Sequence, residues 1–435
     1  MYFQQKKRMV MPGFLLAALL SLMMPKLAWG DDAMKILVRN PPDGTQETCY
    51  MSARNVYVEG MVDGRWVERF WGVNAQLPVI YERRDDIPVF RIHLDGHELP
   101  NNWALVSQGE VEAERLGNKH YVVELLNAGS PIRVRLHTEV DGTPVMKRWL
   151  QISNESDGPV ALTALSIWPS WMQALKHYGG DEKPPRQIKN AYDLGYYTRG
   201  WHAWVGWFTW KALEPGHLVV GNDRGQCYNS PFFIARNNFT GESVIAGLGW
   251  SANWKLDVLT VSDRGHDELH FSLEPVSNAA LRVISAGETV VSPAVHMGRV
   301  NEDIDSAVQA MHDHVRRSVI PRGLDPNRRF LFEYSVPGDQ GYLSPNFGNP
   351  KGCTIENMLR QVDIAAEMGA ELFIMDAAWW SSTAPWEVAR DRFPDGLDPL
   401  IDYVHEKGML FGLYAELEKG NPGTRIREEQ PEWFK

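Results

Sequence analysis

From Arg328 to Leu413 the chain alternates short apolar runs with amphipathic stretches, and no other feature restricts its fold as much. Leu372-Phe373-Ile374-Met375 is apolar at every position, as in a strand of a parallel sheet covered on both faces. Upstream, Thr354 is placed to cap a helix whose apolar positions are Ile355, Leu359, Val362 and Ala366, and Gly369 is placed to stop it. Downstream, Asp398 is placed to cap a second helix, with Pro399 at its first position, Leu400, Ile401 and Val404 as its stripe, and Gly408 past its end. Phe330-Leu331-Phe332 and Met409-Leu410-Phe411-Gly412-Leu413 read as the flanking strands. Parallel strands joined by helices mean an α/β architecture. An eight-stranded α/β barrel of the TIM type needs about 250 residues. Only 110 residues follow Asp325, so the expectation is an incomplete (β/α)8 barrel in a chain that stops early.

The preceding 270 residues have a different rhythm. Val145–Ile152 is a mostly apolar run with a basic interruption at Lys147-Arg148, flanked by the turn signals Asp141-Gly142 and Asn154-Glu155-Ser156-Asp157-Gly158-Pro159. Val160–Leu165 resumes as the next strand. Short strands punctuated by turns predict an antiparallel β-sandwich. Residues 168–254 hold eight tryptophans, among them Trp201, Trp204, Trp207 and Trp210 at every third position. Two readings stay open for these four: aromatics packed beneath a long loop, or a platform for sugar rings. Ile304, Val308, Met311 and Val315 then mark an amphipathic helix, with Asn301 as its expected cap and Pro321 beyond its end. The expected division is a signal peptide at 1–30, a β-sandwich domain at 31–300, a linking helix and hinge at 301–325, and the start of the barrel at 326–435.

The first thirty residues carry Lys6, Lys7 and Arg8, then an apolar run containing Phe14-Leu15-Leu16-Ala17-Ala18-Leu19-Leu20, then Ala28-Trp29-Gly30. This is the layout of a secretory signal peptide. Pro12 and Pro25 bracket the run, which is short for a membrane span. The expected destination is periplasmic or extracellular, with no membrane attachment after cleavage. Cleavage removes four basic residues and no acid, so the net charge falls from −11 to −15. An acidic chain without a basic stripe is a poor partner for nucleic acid. Cys49, Cys227 and Cys353 are far apart and lack metal-ligand spacing, and sequence does not assign a disulfide among them.

In parallel α/β folds the working residues lie where strands end. Those ends are expected to carry Glu333 and Tyr334, then Asp376 with Trp379 and Trp380, then Tyr414, Glu416 and Glu418. Carboxylates grip hydroxyls through charge-assisted hydrogen bonds, and aromatic faces cover the apolar side of a sugar ring. The competing reading for Glu416 and Glu418 is pairing with nearby bases at the rim. Asp376 is the strongest candidate, because it ends the most apolar strand and is followed at once by small residues and tryptophan.

The stretch Glu371–Trp380 resembles the strand-end motif of family 36 glycoside hydrolases, the melibiase or α-galactosidase group. Phe393-Pro394-Asp395-Gly396-Leu397-Asp398-Pro399-Leu400, Lys407–Glu418, Asn421-Pro422 and Gln430-Pro431-Glu432-Trp433 are similar to its following segments. Residues 141–165 and Asn229–Arg236 resemble its large N-terminal β-domain, a β-supersandwich. The resemblance implies a retaining hydrolase of terminal α-linked sugars, acting on an oligosaccharide or glycoconjugate without metal or cofactor. Homo-oligomerisation is left open. Two carboxylates about 5–5.5 Å apart perform such chemistry, and in this family they come from later strands, so no catalytic residue is assigned in this chain. Asp376 matches the first of two adjacent aspartates that hold galactose hydroxyls, and Ala377 replaces the second. Tyr414 stands where the family usually has tryptophan, the family's first-strand tryptophan falls near Tyr334 or Ser335, and Glu416 matches a family glutamate. With Trp379 these make the expected substrate-binding set. The alternative to an enzyme is a non-catalytic carbohydrate-binding protein with Asp376, Trp379 and Tyr414 forming a shallow site; a third reading is a structural protein reusing the sandwich.

Overall fold

The computed structural model describes residues 34–41, 43–73, 84–173, 190–198, 207–222, 229–263, 266–301, 303–321, 331–336, 352–381, 386–415 and 420–434. The chain divides into two units, Met1–Ile320 and Pro321–Lys435. The expected signal peptide, Cys227, Trp201 and Trp204 lie outside the described residues.

Among the described residues, every strand pairing of the first unit is antiparallel. Its largest sheet runs, in spatial order, Trp207–Leu213, Tyr192–Thr198, Phe232–Asn237, Ser243–Leu248, Val295–Val300, Val145–Asn154, Ile132–Val140, Lys119–Asn127 and Trp103–Val111, with Thr289–Val291 also pairing to Val145–Asn154. Three four-stranded sheets accompany it, including the meander Lys35–Arg39, Gln46–Ser52, Asn55–Val62 and Arg65–Val73. Alternation along Val145–Asn154 sends Met146, Arg148, Leu150 and Ile152 inward and turns Lys147, Trp149 and Gln151 the other way. The inward side chains join one core with Trp66, Trp168, Phe233 and Leu256. The turns around this strand form as the sequence indicates. Gly142 adopts a φ of +86°, and the Asp141 carboxylate accepts the Thr143 N–H at 3.0 Å.

The basic interruption has a structural partner. Arg148 is fully buried, donating to Glu59 Oε2 at 2.7 Å, to the Tyr57 hydroxyl at 3.1 Å and to Thr138 Oγ1 at 3.1 Å. Cys49, in the meander, is also fully buried, and burial pushes its thiol up to about 12. Trp207 and Trp210 lie on an edge strand and are 63% and 42% exposed; three residues apart on a strand, they point to opposite faces.

The helix Ile304–His314 lays Ala307, Ala310 and Met311 on Val145, Ile234, Ile245 and Val300 of the large sheet, with Ile304, Val308 and Val315 at the margin. Its cap is Asp303 rather than Asn301, because the Asp303 carboxylate is the acceptor that reaches the Ser306 N–H, at 2.8 Å. The last turn ties the helix to the sheet. His314 Nδ1 donates to Asp141 Oδ2 at 2.8 Å, and Ser318 Oγ donates to the same oxygen at 2.7 Å. His314 Nε2 lies 2.7 Å from His296 Nδ1, within hydrogen-bond distance.

In the second unit, Glu333–Ser335, Leu372–Met375 and Leu410–Leu413 form a parallel sheet in chain order. The first strand is Glu333–Ser335; of the expected Phe330-Leu331-Phe332, Phe330 lies outside the described residues and Leu331 and Phe332 precede the strand. The Phe332 carbonyl accepts from the N–H groups of Glu371 and Leu372. The helix Ile355–Glu367 is capped by Thr354, whose hydroxyl accepts the Asn357 N–H at 3.3 Å. Its buried strip is Met358, Gln361, Val362 and Ala365, with Ile355, Leu359 and Ala366 packed beside it. Gly369 and Gly408 take φ of +78° and +81° just past the two helix ends. Asp398 is the first residue of the helix Asp398–Glu406 and not its cap; Leu397 holds that position without a side-chain bond. The two helices are linked by Asp363, which accepts from Tyr403 at 2.8 Å and pairs with Lys407 at 2.7 Å.

Candidate functional site

The parallel register places one end of the second unit's sheet under three groups. Met375 pairs with Leu413, so the next residues, Asp376 and Tyr414, follow side by side at the carboxyl ends of neighbouring strands. The Tyr414 N–H donates to the Met375 carbonyl at 2.9 Å and extends the ladder one step. Asp376 is half-buried, and its Oδ1 accepts the Ala377 N–H at 2.6 Å, which fixes the carboxylate against its own backbone. Ala377 is buried.

The two tryptophans after Asp376 do different work. Trp379 is buried, and its indole N–H donates to the Tyr414 carbonyl at 2.8 Å, sewing the loop to the neighbouring strand end. Trp380 is half-buried and stacks on Tyr414, with ring centroids 6.2 Å apart and an interplanar angle of 25°. Trp379 and Trp380 meet edge to face at 5.3 Å and 83°. Such a wall offers aromatic surface beside a carboxylate, the pairing a sugar ring needs.

Asp376, Trp379 and Tyr414 are thus brought together. Tyr334 is placed elsewhere. It sits in the middle of its strand, opposite Phe373, on the face covered by the helix Ile355–Glu367, and its hydroxyl donates to Gln361 Oε1 at 2.7 Å. Its ring stacks on Phe373 at 6.1 Å and 13°. The strand begins three residues later than the apolar run indicated, which moves Glu333 to the strand's start and Tyr334 into its interior. Glu416 and Glu418 lie outside the described residues. Among the described residues no group of three or more His, Cys, Asp or Glu side chains converges as metal ligands.

Sequence reasoning passed over Arg392, whose Nη2 donates to the carbonyls of Ala378 at 2.8 Å and Trp380 at 3.1 Å. No pattern signals this, since the bond spans a loop and ends on backbone. Trp380 was visible beside Trp379, but only the indole bond to Tyr414 decides which ring is spent on structure.

A β-rich unit followed by parallel strands that end in a carboxylate and aromatic rings defines a class by architecture: two-part proteins of the β plus α/β type. Comparison with known proteins narrows it. The Melibiase family model matches residues 291–435. Alpha-galactosidase 1 of Pediococcus pentosaceus is 24% identical over 359 residues, covering 79% of this chain and 44% of that protein. The solved family 36 α-galactosidase AgaB of Geobacillus stearothermophilus superposes with a TM-score of 0.66 at 18% identity, covering 91% of this chain and 59% of the other. AgaA of the same organism, solved as a variant in complex with raffinose, gives 0.65 at 16% identity over 89% of this chain and 58% of the other. Residues 291–435 thus match the melibiase group, and the chain is similar to the α-galactosidases of glycoside hydrolase family 36. It spans less than half the length of the first curated relatives it matches.

Proposed function

We propose that the full-length protein to which this chain belongs is an exported α-galactosidase-type glycosidase that cleaves terminal α-linked sugars with retention, its catalytic carboxylates lying on barrel strands later than those of this chain. The observation that carries the proposal is the pairing of Asp376 with Tyr414 at adjacent strand ends, walled by Trp380, in a chain whose residues 291–435 match the melibiase family model. Asp376 accepts hydrogen bonds from sugar hydroxyls, and the Trp380–Tyr414 stack covers the apolar ring face. The described residues are assigned to binding and none to bond cleavage. Retention follows from the family's chemistry, in which a nucleophile and an acid/base act in two displacements. A variant of AgaA holds raffinose, and the substrate class proposed here is an oligosaccharide or glycoconjugate. Ala377 supplies no hydrogen bond to a hydroxyl, so discrimination between galactose and its isomers is expected to be weak at that contact.

Incubation of the full-length protein with aryl α-galactoside, α-N-acetylgalactosaminide and α-glucoside tests the proposal. Turnover of at least one, with the α-anomer released first by NMR, is the expected result. Silence on all three, or first release of the β-anomer, overturns it. Asp376→Ala is expected to weaken sugar binding by about 100-fold, the loss of one or two charge-assisted bonds; unchanged affinity would return Asp376 to a structural role.

A further inference from the structure

The loop that follows Asp376 is held against its backbone preference. Ala378 has a φ of +81° and Trp386 of +56°, in a region that costs a residue with a Cβ about 1–2 kcal/mol. Such a conformation persists only where surrounding bonds impose it. The bonds are specific. The Ala389 N–H donates to the Trp379 carbonyl at 3.0 Å, and the Ser381 N–H donates to the Glu387 carbonyl at 2.8 Å. Arg392 then takes the carbonyls on either side of Trp379, those of Ala378 and Trp380, with one nitrogen. The Arg392 side chain is 17% exposed, and Asp391 stands at 3.6 Å from its other terminal nitrogen. The Arg392 carbonyl accepts the Ile355 N–H at 3.2 Å, which fixes the residue to the first turn of the helix Ile355–Glu367.

We propose that Arg392 is a positioning residue for the aromatic wall: by gripping the Ala378 and Trp380 carbonyls it sets the angle between Trp379 and Trp380 and presents Trp380 on Tyr414 to the sugar. This rests on the sugar-binding reading above. Arg392 touches no sugar itself. A planar guanidinium reaches two carbonyls from one fixed direction, which a lysine ammonium on a flexible stem does not reproduce.

Two readouts on the intact protein separate the parts of the claim. Two indoles crossing at 83° and 5.3 Å give a coupled signal in near-ultraviolet circular dichroism, and Trp380→Phe identifies that signal. Arg392→Met is expected to lose at least half of it and to bind methyl α-galactoside about tenfold more weakly, since a small misplacement of a binding group is costly. Arg392→Lys is expected to fall between the two, and it carries the test if Arg392→Met does not fold. Retention of both signal and affinity in whichever variant folds overturns the proposal. If the unaltered protein binds no α-glycoside, the sugar reading fails, while loss of the coupled signal on substitution still assigns the positioning role.

Discussion

Glu68 is fully buried with one oxygen satisfied, by the Ser170 hydroxyl at 2.7 Å, and the other without a partner. Burial pushes its carboxyl up to about 7, against the opposing pull of Arg299 and the Ser170 bond. The folded-state value lies above the unfolded one, so folding takes up a proton. Relative to this group, stability is greatest at low pH and declines as pH rises from about 4.5 through 7, by roughly 3 kcal/mol in total. Glu68→Gln is expected to remove that decline. Thermal midpoints of the two proteins at pH 5 and pH 8 check it, and parallel curves would refute it. Arg148 shows why such features escape sequence reading. The interruption at Lys147-Arg148 was visible, but Glu59, its partner, lies 89 residues away. Only the registers that bring the strands together show that the charge is neutralised in the core.

At the scale of elements, the helix Ile304–His314 is tied to the sheet by a chain of buried side chains. Burial, with the neighbouring His314 charge acting in the same sense, pushes His296 down to about 3. The bonds from His314, Ser318 and Thr143 outweigh burial and hold the Asp141 carboxyl below its usual range. Lys147 and Arg317 are the other charged groups facing this cluster. A histidine held neutral by folding contributes stability that is present above its unfolded value of about 6.5 and lost as pH falls below it. His314→Phe is expected to destabilise the protein by about 2 kcal/mol, because it takes one donor from the buried Asp141 carboxylate while Ser318 and Thr143 keep theirs. Hydrogen exchange should show the effect first at Val295–Val300 and along the helix; uniform exchange across the unit would refute the tie. The elements themselves were largely legible. A run apolar on both faces gave Leu372–Met375, and Thr354 and Gly369 bounded their helix because caps act locally. Register was not legible. Leu331-Phe332 is more apolar than Glu333–Ser335, yet the ladder forms at Glu333–Ser335, which carries Tyr334 away from Asp376. Nor was the division of labour between Trp379 and Trp380, which one bond to a neighbouring strand decides.

For the whole molecule, the two units have separate hydrophobic cores, one built by alternation in antiparallel strands and one by helices over a parallel sheet. The reading of an exported protein predicts that the mature chain begins at Asp31 with a net charge of −15. N-terminal sequencing of the protein recovered from the periplasm or medium checks this, and an intact Met1 would refute it. Export has a chemical side that Cys49 makes concrete. A thiol sealed in the meander with so little thiolate at neutral pH is a poor target for alkylating reagents and for disulfide exchange. It is therefore a built-in reporter: maleimide uptake at this position clocks the opening of the meander strands, without any engineered label.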